Sequence, residues 1–539
     1  MDIKFTLFWI TFLDLNFITL NFQNSELIDT QSDSKIILPD AIARNCQPIS
    51  WWLWAIENFP QISEDEIMTF TDMSYQELAL NLLKRFPFWI DDNKFEEIIN
   101  DAYGEQWNHS DIVPVKQMWD TNLHSAHLWY WPTMAFKNLG LELTPRIITE
   151  VTNEEAAMIL WASSWDTLNA AANWVKGTSI WSGFYLPNSW TSDVQWTLAT
   201  NGNVSNPNAI TILADVPFDP LQSVVKHVNW PEETTFREKH NILNLNSINI
   251  WRILGQVVYY FSAYSKLLKN QNIQKWEQVN FSVPSWNFWD ALAWYYAMKM
   301  WLPIEKILVA TNENDMLDIF FKTWVYEPPK KDWIDYVWRT NSPSMDIAKS
   351  SNLERMIFDI CDFDSSRVKD FYDELKRTGK FKVSNDILEK IQKIFLSSSS
   401  KDSERDNAIK EFWKTFEYWI DPHTAAAVVP WLKNEHWLKE SKTQTIFLET
   451  SHVAQFWNEL KRKGIIVPWM DEFDETINQL KQQKPVEWRD YINIQINGKS
   501  DEEAFKIAKN AAERAFNEIL PEKMKNKVPS TWSFITKWK

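Results

Sequence analysis

A chain of 539 residues with only 9 glycines is short of the one residue that takes positive φ without steric cost, and turns and helix ends call for it repeatedly. Average usage would supply roughly 38 glycines at this length. The same chain carries 34 tryptophans, and the two residue types together make up close to the share of roughly 8% expected for the pair. The excess of one matches the deficit of the other. Position gives the match a meaning. Leu375 to Gly379 and Leu460 to Gly464 read as helix ends with Gly in the C′ slot. In Ala297-Met-Lys-Met-Trp301-Leu-Pro303 that slot holds Trp. Trp419 before Pro422, Trp51, Trp52 and Trp54 after Ser50, and Trp286 and Trp289 after Ser285 repeat the pattern. Many of these tryptophans are therefore expected to stand for glycine, as happens when UGA codons that mean Gly are translated as Trp. A genuinely Trp-rich protein that binds glycans or aromatic ligands is the competing reading, and the codons for Trp286, Trp289 and Trp301 decide between them.

The rest of the composition is that of a large folded protein. Hydrophobic residues make up 45% and charged residues 24%, enough for extensive cores in two to four domains, which excludes global disorder, collagen and coiled coil. A net charge of −17 argues against nucleic acid as a partner, because binding to a phosphate backbone leaves a basic footprint. Cys46 and Cys361 are too few for a disulfide framework, so a cytoplasmic location is expected. The apolar run Phe5 to Phe22 is broken by Asp14, Asn16 and Asn21 and lacks a basic leader. It reads as an appended strand or an early start rather than an export or membrane segment.

Along the chain, residues 34 to about 118 read as helical, with apolar periodicity in Tyr75 to Lys84 and Lys94 to Tyr103. Short apolar or β-branched runs then alternate with helices: Ala157 to Leu160, Ala209 to Ala214, Val279 to Val283, Lys306 to Ala310 and Thr445 to Leu448. That alternation predicts βαβ units with buried parallel strands. Residues 330–415 turn helical and charged, with Ser397 to Ser400 as a serine-rich break, as in a helical insertion or flexible connection. After about 460 the chain again reads as helical, with Glu502 to Leu520 as one amphipathic helix.

The strongest local signal is Ser282-Val-Pro-Ser-Trp-Asn-Phe-Trp-Asp290, between a strand and a helix. A tight turn at a helix N-terminus points backbone N–H groups at an anion; a purely structural βα turn is the alternative on spacing alone. With Gly at 286 and 289, this segment resembles the phosphate loop S-V-P-S-G-N-F-G-D of the threonine synthase family, enzymes that use pyridoxal 5′-phosphate (PLP). The resemblance runs from about Ile42 to about Asn458. Leu128-Trp-Tyr-Trp-Pro-Thr-Met-Ala-Phe-Lys137 is similar to the family's H-G-P-T-x-A-F-K, which makes Lys137 the implied Schiff-base lysine; Tyr130 and Asn138 replace the usual His and Asp. The apolar neighbours Ala135, Phe136 and Leu139 suit a desolvated, nucleophilic amine, although a lone Lys in such a run is ordinarily a surface residue.

Leu160 to Thr167 resembles the T-S-G-D-T turn with Trp165 in the Gly position. Asp166 is implied near the cofactor's 3-oxygen and Thr167 near the substrate; an N-cap Asp is the bland reading. Asn246-Ser-Ile-Asn-Ile-Trp-Arg252 resembles N-S-I-N-x-x-R, which implies that Asn246, Ser247 and Arg252 bind the substrate's phosphate. Leu448-Glu-Thr-Ser-His-Val-Ala-Gln-Phe456 resembles L-E-T-A-H-P-A-K-F and implies Thr450 as the hydroxyl partner of the PLP ring nitrogen, while Asp421-Pro-His-Thr-Ala-Ala426 matches D-P-H-T-A-A, read as architecture. His423 and His452 are expected to be buried hydrogen-bonders, with no metal site.

The resemblance implies an α/β protein of PLP fold type II. Its expected plan is an extension at 1–33, a helical region at 34–118, a large PLP-binding domain at 119–155 and 270–460 with a helical insertion at 330–415, a small α/β domain at 156–269, and a helical region at 461–539. The cofactor cleft lies between the two parallel-sheet domains. The implied cofactor residues are Lys137, Asp166, Ser285, Trp286, Asn287, Phe288, Trp289, Asp290 and Thr450. The implied reaction converts O-phospho-L-homoserine and water to L-threonine and phosphate in a monomer or homodimer. The alternatives are a serine/threonine dehydratase-like lyase of the same fold, or an inactive binding protein on the scaffold.

Overall fold

The computed structural model describes residues 26–32, 34–37, 53–86, 88, 90–130, 133–151, 158–162, 181–187, 208–216, 220–221, 223–225, 242–243, 247, 249–331, 334–465 and 491–514. The run Phe5 to Phe22, Trp51, Trp52, Trp131, Trp165, Asp166, Thr167 and Asn246 lie outside these residues.

A six-stranded sheet is the larger of the two main sheets. Its order is Phe395–Ser399, Ile304–Thr311, Val279–Pro284, Thr445–Glu449, Leu123–His127 and Val115–Gln117. Five strands run parallel, and Val115–Gln117 pairs antiparallel at one edge. The central strand Val279–Pro284 is buried at every position, as an apolar run covered on both faces must be. Strand alternation separates the two coats. Ile307 and Val309 pack with the helices Trp251–Lys269 and Trp289–Lys299, whereas Leu308 and Ala310 pack with Asp402–Phe416 and Pro422–Leu432.

A second, all-parallel sheet has the order Tyr491–Ile494, Ala209–Ala214, Trp181–Pro187, Met158–Ala162 and Ile242–Leu243. The five expected strands all form. Three expectations need correcting. The region 34–118, expected to be helical, also holds the strands Lys35–Ile37, Trp54–Ile56 and Val115–Gln117, set by pairing with other strands that local periodicity does not reveal. The serine-rich break is a strand: Phe395–Ser399 pairs in parallel with Ile307 to Thr311, and Ser397 and Ser398 are buried. The region after 461 supplies an edge strand to the second sheet, and its helix Asp501–Arg514 is tied down by the Tyr185 hydroxyl donating to the Ala508 carbonyl at 2.6 Å.

Backbone conformation bears directly on the glycine question. Gly379 and Gly464 take φ of 85° and 71°, and Trp301 takes 76°. Trp301 is the C′ residue of a Schellman motif, with Leu302 N–H donating to the Ala297 carbonyl at 3.0 Å and Trp301 N–H to that of Met298 at 2.9 Å. Its indole is 55% exposed. Trp119, Trp276 and Trp324 also have positive φ, which makes tryptophan four of the thirteen such non-glycine residues described. Trp419 does not fit: the left-handed residue after the helix Asp402–Phe416 is Glu417. Trp54 lies in the strand Trp54–Ile56. In the turn after Ser285, Phe288 takes the positive φ, at 60°, in place of either Trp.

Candidate active site

Lys137 opens the short helix Lys137–Leu141 and is buried at 2% exposure. The segment before it is stitched to the end of the strand Thr445–Glu449. Phe136 N–H donates to the Thr450 carbonyl at 2.8 Å, His452 N–H to that of Met134 at 3.0 Å, and Ala135 bridges Ser451. Two motifs more than 300 residues apart thereby meet at the C-terminal end of the parallel strands, where open α/β sheets hold ligands. The Thr450 hydroxyl is buried with no hydrogen-bond partner among the described residues, as is that of Ser285. Gly140 packs on Gly255 of the helix Trp251–Lys269, where a Cβ would meet the Arg252 carbonyl at 3.3 Å. That close crossing seats Arg252 beside the Lys137 helix.

The turn Ser285 to Phe288 leads from the central strand into the helix Trp289–Lys299. Asp290, in its first turn, is directed away from any anion at the turn: its Oδ1 accepts from the Tyr259 and Tyr260 hydroxyls at 2.5 Å each. Burial raises its pKa to about 6. The Trp286 ring centroid is 5.5 Å from Lys137 Nζ, and Trp286 also meets Phe136 and His423. The Arg252 guanidinium lies 4.6 Å over the Trp289 ring, and burial lowers its pKa to about 9. The two indoles thus occupy the space between the turn, the lysine and the arginine.

Ser247 is brought to the turn by hydrogen bonds that spacing does not reveal. Asn287 and Asn352 both donate Nδ2 to its Oγ at 3.0 Å, and Arg355 Nη1 donates to its carbonyl at 3.2 Å. Asn287 Oδ1 in turn accepts from Ser351 N–H at 2.8 Å and from its hydroxyl at 2.6 Å. Sequence reasoning passed over Ser351, Asn352 and Arg355; their signal was a polar run at the mouth of an apolar helix, with an Arg that ends up fully buried.

A buried polar cluster lies under the Lys137 segment. Glu449 accepts from Ser125, from Trp129 Nε1 at 2.8 Å and from the Tyr418 hydroxyl at 3.0 Å, with His127 Nε2 at 3.6 Å. Burial raises its pKa to about 7 and lowers that of His127 to about 3. His423 Nδ1 is 3.0 Å from Asp421, and its Nε2 accepts from Ser344 N–H at 3.2 Å, while His452 Nδ1 accepts from Ala454 N–H at 3.2 Å.

With this geometry in hand, comparison with known proteins is decisive. The chain is 33% identical over 417 residues to threonine synthase from Methylobacillus glycogenes, covering 75% of this chain and 84% of that one. It belongs to the threonine synthase family. The yeast Saccharomyces cerevisiae threonine synthase is also 33% identical, over 74% of this chain and 80% of that one. The family model for the threonine synthase N terminus matches residues 53–103. Among solved structures, PLP-bound threonine synthase from Brucella melitensis superposes with a TM-score of 0.76 at 28% identity, covering 90% of this chain and 99% of that one. The yeast enzyme gives 0.78 at 27%, over 93% and 99%. This establishes the α/β fold of PLP type II.

The donor set suits PLP. A buried lysine, an unpartnered buried hydroxyl at Thr450 and a backbone turn at a helix N-terminus match an aldehyde, a ring nitrogen and a phosphate. The parts that do not suit it are the rings of Trp286 and Trp289, which fill the cradle.

Proposed function

We propose that this chain is a working threonine synthase, converting O-phospho-L-homoserine and water to L-threonine and phosphate with PLP, and that its cradle is built with glycine at 286 and 289. The observation that carries this reading is the direct hydrogen bond from Phe136, next to Lys137, to Thr450. It draws the two residues on which such an enzyme most depends into one buried place. PLP, when bound, supplies the electron sink that acidifies the substrate's Cα–H.

The chain's own residues do the rest. Lys137 holds the cofactor and, released by substrate, moves the Cα proton. Thr450, whose buried hydroxyl has no partner among the described residues, would give the ring nitrogen a neutral hydrogen-bond partner, which favours elimination over transamination. Backbone N–H groups of residues 285–289 hold the cofactor phosphate, and Ser247 and Arg252 hold the phosphate of the substrate. By the resemblance, Asp166, Thr167 and Asn246 complete the two sites. The arrangement is read as two α/β domains, 119–155 with 270–460 and 156–269, flanking the cleft, in a cytoplasmic monomer or homodimer. No helix among the described residues is long and apolar enough to cross a membrane.

Glycine decoding is supported by Trp301 in a Schellman C′ slot and by the buried indole N–H groups of Trp54, Trp251, Trp294, Trp324 and Trp419, which lack hydrogen-bond partners among the described residues; a native buried Trp usually finds one. A second reading, a binding protein whose cradle is filled by indoles, is favoured by the Trp286 ring beside Lys137. Peptide mass spectrometry of the natural protein across residues 285–301 separates the two: glycine is expected at 286, 289 and 301. For the activity, the purified enzyme is expected to show a visible absorbance band from lysine-bound cofactor and to release phosphate from O-phospho-L-homoserine. Lys137→Ala should abolish the band and lower turnover by about 10³-fold or more. Tryptophan in those peptides, or a band that survives the substitution, overturns the proposal.

A further inference from the structure

The environment of Ser247 fixes where its proton can go. A hydroxyl has one O–H donor and two acceptor lone pairs. Both asparagines around it are locked by obligate donors. Ser351 N–H, which can only donate, faces Asn287 Oδ1 at 2.8 Å, so the Asn287 Nδ2 group must face the other way, toward Ser247 Oγ at 3.0 Å. The Arg355 guanidinium, also donor-only, faces Asn352 Oδ1, so Asn352 Nδ2 likewise faces Ser247 Oγ at 3.0 Å. The two amides occupy both lone pairs, and among the described residues no acceptor takes the Ser247 proton. Ser247 is 5% exposed and Asn352 fully buried, so water gives little competition for these positions. Arg355 also fastens the Ser247 carbonyl at 3.2 Å and, through Nε, the Trp54 carbonyl at 2.7 Å, which leaves the donor little freedom to turn.

We infer that Asn352 is a specificity-determining positioning residue: together with Asn287 it makes the Ser247 hydroxyl an outward-only donor, selective for a group that can only accept, such as the phosphomonoester dianion of the substrate. Because Asn287 belongs to the turn assigned to the cofactor phosphate, its hydrogen bond to Ser247 Oγ links the substrate-phosphate site to the cofactor-phosphate site. An incoming donor finds no lone pair to bond, so an alcohol or amide meets Ser247 only through its acceptor oxygen, without the charge that strengthens the bond to a phosphate. The inference rests on the threonine synthase reading of Ser247.

The test uses the full-length holoenzyme as its codons dictate it, with O-phospho-L-homoserine and inorganic phosphate as probes. Asn352→Asp is nearly isosteric and keeps a partner for Arg355, but presents an acceptor that captures the Ser247 proton. It is expected to raise KM for the substrate and the inhibition constant of inorganic phosphate by about 10- to 100-fold, the loss of one hydrogen bond to a charged group. The change in kcat is expected to be smaller, and the cofactor band should persist. Asn352→Ala should weaken phosphate binding in the parent, yet by less than about 2-fold in a Ser247→Ala background, because its effect passes through that hydroxyl. Additive losses in the double variant, or unchanged phosphate inhibition in Asn352→Asp, overturn the inference while leaving the enzyme reading intact. A parent with cofactor band and turnover both absent overturns that reading and the inference with it.

Discussion

The aromatic pocket around Trp129 and the turn that opens the helix Trp289–Lys299 use the same residue, and it behaves differently in each. Trp129 stacks on Tyr130 at 4.3 Å, lies 5.5 Å from the His127 ring and donates its indole N–H to Glu449. This half-buried ring uses both its apolar face and its polar edge. Trp286 and Trp289 instead lie against Lys137 and Arg252, the lysine and arginine proposed for the site. Trp301, at the far end of that helix, projects into solvent from a left-handed backbone. A ring that satisfies its N–H at ordinary φ fits its place. One that crowds a backbone turn or takes a positive φ is what the proposed glycine decoding would leave behind.

The largest effect that can break this contrast is at the cradle. A chain made with indoles at 286 and 289 must expel two buried rings to admit PLP, at about 1.5–3 kcal/mol each. Its cofactor affinity should therefore fall by about 10²–10⁴-fold relative to the chain carrying Trp286→Gly and Trp289→Gly, as read by spectrophotometric titration. Equal affinities would show that the rings move aside freely and that they carry no information about decoding.

Next in size, Trp129→Gly should destabilise the fold by about 1–3 kcal/mol in denaturant titrations, below the range for deleting a fully buried aromatic because the ring is half-buried. The loss should depend on pH. The Glu449 pKa is raised by burial to about 7 from an ordinary 4.5. Its contribution to stability is thus complete below about pH 4.5 and lost as pH rises through about 7. Removing the Trp129 N–H takes a donor from the ionised carboxylate and raises that pKa further, so the gap between parent and variant should widen from pH 5 to pH 8. His127, held neutral by burial, is unchanged across that window. A gap that stays constant with pH would mean that Trp129 supports the pocket by packing alone.

These contrasts also mark what the sequence could carry. Three strands of the large sheet, Val279–Pro284, Ile304–Thr311 and Thr445–Glu449, were legible because burial on both faces demands continuous apolar runs, whereas the short edge strand Val115–Gln117 and the polar Leu123–His127 carry no such run. Phe395–Ser399 was not legible, since small hydroxyl side chains have no strand signature, and its place beside Ile304–Thr311 is set by tertiary pairing. Lys137 and Thr450 were legible as separate motifs, and the hydrogen bond that joins them could only be seen in the fold. Asn352 and Arg355 went unread because their partners Ser247 and Asn287 stand about 65 to 105 residues away, beyond any local pattern. Trp301 fills the helix-end slot, where a Schellman motif has a recognisable Pro after it, and Trp419 does not, because the chain turns two residues earlier at Glu417.

The smallest effect gives the cleanest sign. At Trp301 the left-handed backbone costs a non-glycine residue about 1–2 kcal/mol, and an indole that is more than half exposed recovers little of this by packing. Glycine loses some of the advantage through the freedom it gains in the unfolded chain. The net expectation is that Trp301→Gly stabilises the protein by about 1 kcal/mol, opposite in sign to Trp129→Gly and measurable as a shifted denaturation midpoint at unchanged slope. The Schellman hydrogen bonds from Trp301 and Leu302 are both made by backbone N–H groups, so the substitution keeps them and isolates the conformational cost. If Trp301→Gly were neutral or destabilising, backbone geometry would lose its power to tell a written tryptophan from a true one, and only the codons would remain to do so.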